Sequence, residues 1–202
     1  MFTGKRIDLI QNTQIWLDWR QSGLGSSDAA VIMGVSPWKT ADTLLYEKST
    51  RRSTKNVTSA MRRGSRLEPF ARDVYQKKTY LHLPPVCMQH QLHPYIIGSF
   101  DGANEEHSII LEIKAPNDKT HAEARQQRIP EIYFPQCQHL LMVSGAQWLH
   151  YVSFNGMEIV PVLVRSDLEY QEKLLAKEVE FWKKVMGCRD MLLKENKDAK
   201  AM

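Results

Sequence analysis

Cysteine is scarce in this 202-residue chain: Cys87, Cys137 and Cys188 are the three present, far apart and without a C-x-x-C pair. An odd, scattered set excludes a disulfide-stapled scaffold, and three thiols are too few for a four-cysteine iron–sulfur cluster. Long hydrophobic runs are missing too. No stretch approaches the ~18 consecutive apolar residues of a membrane span, so no membrane partner is expected. Residues 1–20 are too polar and charged for a secretion signal. There is no internal repeat or low-complexity tract. What remains is 43% hydrophobic and 25% charged, the balance of a globular protein and not of a disordered, collagenous or fibrous one. The length suits a single domain over residues 1–202 that buries a core without staples, in the cytoplasm with reduced thiols. The sequon Asn56-Val57-Thr58 is then a chance match.

The net charge of +4 is small but unevenly placed. Lys48, Arg51, Arg52, Lys55, Arg62, Arg63 and Arg66 follow one another with no anion between them. Such a block suits a polyanionic partner, or else is a solvated basic loop. Ser49 to Ser59 is nearly devoid of apolar residues and reads as a loop.

Gly23 and Gly25 mark a turn before a helix that Ser26 or Ser27 can cap and Pro37 ends. A second helix begins at Thr40 or Ala41. From Ala60 to Lys78, Met61, Leu67, Phe70, Ala71, Val74 and Tyr75 recur at helical spacing, with Pro69 expected to end one helix and begin another. Tyr95–Phe100 and Ser108–Lys114 read as strands across a 102–107 turn, His121–Arg128 as a short polar helix, and Ile132–Val143 as an apolar one. Asn155-Gly156 signals a hairpin between Gln147–Phe154 and Met157–Val164. Ser166-x-x-Glu169 has the capping-box pattern and opens a long helix through Leu175, Val179, Trp182 and Met186; core packing is its expected role, subunit contact the alternative. A hairpin forces antiparallel pairing into the sheet, so the class is α/β or α+β and not doubly wound.

Asp101, Glu112 and Lys114 carry the chemistry. Glu112 and Lys114 are two apart in an otherwise apolar strand, so both project from one face. Asp101 follows the preceding strand and converges on them if the two strands pair. Two carboxylates can hold one or two Mg²⁺ ions. The ion lowers the pKa of a bound water and stabilises charge growing on a phosphorane, and a neighbouring lysine can orient or help deprotonate the water. A surface salt-bridge ladder is the plain alternative for three common charged residues.

The surroundings narrow this choice. Trp16-Leu-Asp-Trp-Arg20, Gly25-Ser-Ser-Asp-Ala-Ala30, Gly64-Ser-Arg-Leu-Glu68, Gly98-Ser-Phe-Asp-Gly102, Leu111-Glu-Ile-Lys-Ala-Pro116, Tyr133-Phe-Pro-Gln-Cys-Gln138 and Val143-Ser-Gly-Ala-Gln-Trp148 occur in that order. Together they resemble the PD-(D/E)-x-K nucleases, and more narrowly the lambda exonuclease and YqaJ-type viral recombinase family. Phe100 stands where the motif's name has proline, which touches the stiffness of the turn and not the ligands.

The resemblance implies a restriction-endonuclease-like core: a central mixed β-sheet flanked by helices, with a β-hairpin and a long C-terminal helix. It implies a Mg²⁺-dependent 5′→3′ exonuclease (two ions, Mn²⁺ able to substitute) that digests the 5′-ended strand of linear double-stranded DNA to mononucleotides. Asp101, Glu112 and the Ile113 carbonyl would bind metal, Lys114 would position water, and Glu68 would support the site through water. Arg20, Ser27, Ser99 and Gln136 would hold the DNA 5′-phosphate. Of Gln136 and Gln138, which cannot share a helix face, Gln136 is expected in the cleft with Tyr133. Met61 is a candidate wedge at the duplex fork. Arg51, Arg52, Arg62 and Arg63, with the rest of the basic run from Lys48, would track the DNA backbone. A homotrimer ring, phage or prophage origin and a single-strand-annealing protein partner are implied in the same way.

Two rivals share these residues. A PD-(D/E)-x-K endonuclease or junction resolvase would keep the trio without needing a free 5′ end. A non-catalytic DNA-end-binding protein would have lost a carboxylate or the lysine, and none is missing here.

Overall fold

The computed structural model describes residues 4–53, 57–106 and 108–201. Strand β1 (Gly4–Ile7) leads into helix α1 (Gln14–Gln21), capped by the Thr13 hydroxyl. The two-residue β2 (Leu24–Gly25) passes directly into α2 (Ser26–Ile32), followed by α3 (Ala41–Thr50) and the long α4 (Ser59–Thr79). The central strands are β3 (Val86–His90), β4 (Ile96–Phe100), β5 (Gly102–Ala103) and β6 (Ile110–Lys114). Then come α5 (Asp118–Arg125), a 3₁₀ turn (Glu131–Tyr133), α6 (Phe134–Ser144), β7 (Trp148–Phe154), β8 (Ile159–Arg165) and α7 (Leu168–Ala201).

The strands form two mixed four-stranded sheets, ordered β1-β3-β4-β2 and β5-β6-β7-β8. The expected pairing of the strand before Asp101 with the strand of Glu112 does not occur. β4 pairs with β3 and β2, while β6 takes β5 on one flank and β7 on the other. Asp101 is thus the single residue between the last strand of one sheet and the first of the other. Gly102 makes that crossing possible, because a Cβ there would lie 2.8 Å from the Leu83 carbonyl oxygen.

Alternation along β6 decides what faces what. Ile110 packs in the core that includes Cys137, Leu140 and Leu141 of α6, whereas Leu111 and Ile113 pack with Ala71 and Tyr75 of α4. Glu112 and Lys114 therefore share the face of Ile110, toward α6.

Helix α4 continues unbroken past Pro69, against expectation. An interior proline removes one backbone hydrogen bond and costs about 3 kcal/mol or more. Ala71 and Tyr75 are buried and Leu67 and Val74 half-buried on the packed side of α4, and full burial of a large apolar side chain stabilises by roughly 1.5–3 kcal/mol. Packing wins. The expected 49–59 loop is shorter than it looked, since Ser49 and Thr50 complete α3, with Lys48 and Ser49 buried. Lys55 lies outside the described residues. At the hairpin, β7 and β8 are joined by Asn155–Glu158, and the Asn155 side-chain oxygen accepts the Met157 and Glu158 N–H groups. Helix α7 is capped by the Asp167 carboxylate, which takes the Tyr170 N–H, and not by Ser166. On α7, Phe181 and Trp182 are core, whereas Met186 is 40% exposed. Among the described residues no helix is long and apolar enough to cross a membrane.

Candidate active site

A cleft of about 330 Å³ opens between α1, α2, α4, β6 and α6. It is lined by Glu68, Asp101, Glu112, Ile113, Lys114, Arg20, Ser27, Ser99 and Gln136, all singled out from the sequence. A second cavity of similar size, against Met33, Ile129, Phe134 and Tyr170, is apolar in character and apart from these groups.

The two ends of the cleft differ. At one, the Asp101 carboxylate accepts the Ile113 N–H at 2.7 Å. A strand residue sends its N–H and C=O to the same flank, so the Ile113 carbonyl belongs on the Asp101 side as well. Glu112, 2% exposed, is hydrogen-bonded by the Lys114 ammonium and by Gln136 Nε2 at 2.6 Å. Arg72 joins α4 to this end: Nε donates to the Asp101 carbonyl and Nη2 to the Glu68 carboxylate. Burial, with Lys114 opposing and Asp101 adding, pushes Glu112 up to about 8. Burial and the Asp101 charge push Glu68 up to about 7, and burial raises Asp101 as well. Three acids share the Lys114 ammonium and the Arg72 guanidinium, too little positive charge to keep all three ionised out of water. Burial disfavours the Lys114 ammonium, but Glu112 and Asp101 outweigh that and hold its pKa above the ordinary lysine value.

At the other end, Arg20 lies over the Trp16 ring at 4.7 Å and donates to Ser27 Oγ at 3.2 Å. Trp16 Nε1 donates to Ser99 Oγ at 2.9 Å. The loop before α2 is held from beneath. Asp28, buried, accepts the Gly25 N–H at 2.9 Å and pairs with Lys48 at 2.8 Å. Lys48 Nζ also donates to the carbonyls of Gly23 (2.7 Å) and Arg20 (3.0 Å). Burial alone would raise the Asp28 pKa, but the Lys48 charge holds it below its ordinary value. One guanidinium, the Ser26 and Ser27 hydroxyls and the start of α2 line this end of the cleft, a set whose chemistry suits an anion.

Gln136 joins the two ends, because its Nε2 reaches Glu112 and also Ser26 Oγ at 3.3 Å. Gln138 points the other way, buried against the Arg165 carbonyl and the Asp167 N–H. Tyr133 borders the site, its ring 5.4 Å from Lys114 Nζ. Met61, 42% exposed, is two helical turns before Glu68 and so on the same face of α4.

The basic run divides. Lys48 is an internal ion-pair partner, not a surface cation. Arg63 donates to the carbonyls of Ala115 (2.9 Å), Pro116 (3.0 Å) and Asn155 (2.8 Å), tying α4 to the ends of β6 and β7. Arg62 reaches the Val57 carbonyl but stays exposed, as do Arg51, Arg52 and Arg66.

Several supporting residues escape sequence reasoning. Arg72 had a signal, four residues after Glu68 on one helix. The Asp28–Lys48 pair had none. Nor did His139, whose ring bridges Glu178 (2.7 Å) and the Ile97 carbonyl (2.9 Å) and so ties α6 to α7 and β4.

The donor set suits a hard cation. It offers carboxylates and a backbone carbonyl, and the Cys137 thiol that feels the Glu112 charge is buried, its pKa pushed well above the ordinary value. Among the described residues no three His, Cys, Asp or Glu side chains form a ready-made cage. Mg²⁺ asks for less: it keeps several waters and takes one or two carboxylates plus substrate oxygens. Asp101, Glu112 and the Ile113 carbonyl meet that requirement.

Residues 15–147, roughly two thirds of the chain, match the profile of the YqaJ-like viral recombinase domain. The chain belongs to that family. It is 27% identical over 197 residues to the uncharacterized protein YqaJ of Bacillus subtilis strain 168, covering 92% of this chain and 62% of that relative's length. Among solved structures, the alkaline exonuclease LHK-Exo of Laribacter hongkongensis superposes with a TM-score of 0.79 at 24% identity, over 94% of this chain and 100% of the other. Its complex with dAMP gives 0.80 at 23% identity over the same shares. A phage-related exonuclease of Haemophilus somnus 129PT gives 0.55 at 14% identity, over 86% of this chain and 96% of that one. The α/β fold with mixed sheets, flanking helices and a long terminal helix is thus shared with exonucleases.

Proposed function

We propose that the chain is a divalent-cation-dependent deoxyribonuclease that removes nucleotides from the 5′ end of linear duplex DNA. Gln136 carries this reading. One side-chain amide touches both the carboxylate of the hydrolytic end and the serine edge of the anion pocket. A phosphate at Arg20 and Ser27 and a second at Asp101 and Glu112 would then belong to neighbouring nucleotides, as mononucleotide release from a 5′-phosphorylated end requires. An endonuclease has no need of the first pocket.

Asp101, Glu112 and the Ile113 carbonyl would hold Mg²⁺, or Mn²⁺ in its place, with Glu68 reaching it through water. When bound, the cation supplies a more acidic water and charge stabilisation at the phosphorus. The protein's own groups do the rest. Lys114, held as an ammonium, orients the attacking water and offsets charge on the phosphoryl oxygens; it is not the resting base. Gln136 and the Ile113 N–H fix the two carboxylates. Arg20 and Ser27 grip the end phosphate and set the reading frame of one nucleotide. A homotrimer ring around the duplex, a phage or prophage setting and a single-strand-annealing partner for the 3′ tail rest on the family resemblance. A solution mass of one 23.4 kDa chain would sink the ring.

The test uses linear duplex DNA labelled separately at its 5′ and 3′ ends, a closed circle and Lys114→Ala, in Mg²⁺ and in EDTA. Loss of the 5′ label as mononucleotide, from linear DNA alone and not with the variant, is the expected result. Nicking of the circle would move the activity to an endonuclease. Intact substrates throughout would leave a DNA-end-binding protein.

A further inference from the structure

Trp38 lies between α2 and α3 and is 68% exposed, although tryptophan is usually well buried. The ring is not on a loose tether. Its backbone N–H donates to Ser36 Oγ at 3.3 Å, and the next residue, Lys39, is anchored by the buried carboxylate of Glu47. The indole is 6.3 Å from the Tyr133 ring at an interplanar angle of 30°, and Tyr133 borders Lys114 Nζ at 5.4 Å. Ammonium, half-buried phenol ring and exposed indole form a ladder leading outward from the hydrolytic end.

We propose that the exposed face of Trp38 is a stacking platform for one of the two nucleobases flanking the scissile phosphate. This subsite for an unpaired base rests on the nuclease reading above. Among the residues that line the cleft, no ring stands open to stack on a base. Trp16, the indole that lines it, already has Arg20 over its ring. Every base presents a π face, so a single flat indole would hold that base without regard to sequence. Tyr133 backs the platform and places it within one nucleotide's reach of Lys114.

The experiment uses 5′-phosphorylated duplexes with a 3′ fluorophore. One has an intact 5′ end, and two carry a tetrahydrofuran residue in place of the first or second nucleoside. Dissociation constants without cation and initial rates in Mg²⁺ are compared for wild type, Trp38→Ala and Trp38→Phe. Removing one of the two bases should weaken wild-type binding on the order of ten-fold. Trp38→Ala should bind intact DNA weaker by a similar factor and no longer distinguish that base-less end, while Trp38→Phe keeps most of the difference. Unchanged melting temperatures, expected at so exposed a position, keep folding out of the comparison. A Trp38→Ala protein that discriminates as well as wild type would overturn the platform, and so would a wild type indifferent to both base-less ends. Cleavage of every duplex without any base effect removes the platform alone, whereas failure to bind or cleave any of them removes the nuclease reading with it.

Discussion

Replacing Lys48 by methionine separates two accounts of the basic run. Lys48 is 6% and Asp28 9% exposed, and Lys48 Nζ serves the Asp28 carboxylate and two backbone carbonyls at once. Methionine fills the volume but leaves Asp28 with the Gly25 N–H and two carbonyls without a donor. Removing one partner of a buried pair costs about 3–5 kcal/mol, against a total stability of roughly 5–15 kcal/mol. With a urea slope of about 2–3 kcal/mol per molar, the unfolding midpoint should fall by about 1–2.5 M. Adding Asp28→Asn to Lys48→Met should recover about 1 kcal/mol or more, because it removes the stranded charge. Asp28 has its pKa held down, so its stabilising contribution is full above the unfolded value near 3.8 and is lost as pH falls through the folded value. A DNA-tracking Lys48 behaves otherwise: stability would change by less than about 0.5 kcal/mol and the salt dependence of DNA binding would lessen by about one unit. A midpoint shift below about 0.3 M would refute the internal role.

Glu112 (about 8) and Glu68 (about 7) keep protons in the folded, metal-free chain that the unfolded chain loses near 4.5. Stability tied to them is full below that value and drains as pH rises through 7 to 8. Calorimetry in EDTA should therefore give a lower melting temperature at about pH 8.5 than at about pH 6, with a larger Mg²⁺ increment at the higher pH and a flatter profile in Glu112→Gln. Arg72→Lys keeps a charge but loses the fork between Glu68 and Asp101. Single-turnover assays should show the chemical step slowed by about 10–100-fold with DNA affinity nearly unchanged. Arg20→Ala should erase a preference for 5′-phosphate over 5′-hydroxyl ends of about ten-fold or more in wild type. Equal discrimination by the variant would move the end-binding pocket elsewhere.

Glu112 and Lys114 were legible because a strand's period of two is rigid, whereas Asp101 reaches them from the crossing between two sheets and not through the strand pairing expected. Once Ile110, Leu111 and Ile113 are assigned to two cores, Glu112 and Lys114 have one face left. Gln136 was legible against Gln138 for a similar reason on a helix. What escaped was what depends on distant partners. Nothing local marks Lys48 as the partner of Asp28, twenty positions away, or His139 as the partner of Glu178. Pro69 misled because propensity is a local statement, while Tyr75 and Ala71 pack on strands far along the chain. The sheet order also hid itself: one residue, Asp101, separates two sheets that read as one.

The same reasoning limits how much DNA-facing charge the basic run can supply. A count of cations treats them as equivalent, yet Lys48 is buried in an ion pair and the Arg63 guanidinium is committed to three carbonyls. Among the described residues of the run, Arg51, Arg52, Arg62 and Arg66 remain exposed. Each phosphate neutralised contributes about −0.9 to the slope of log affinity against log salt, so these four can account for a slope of about −3.6 per chain and no more. Arg51→Gln with Arg52→Gln should therefore flatten the slope by up to about 1.8 without moving the melting temperature. Arg63→Gln should do the reverse, loosening the joint between α4 and the hairpin while leaving the slope where it was. A slope that flattens by about one unit in Arg63→Gln, at unchanged stability, would put that guanidinium on the DNA.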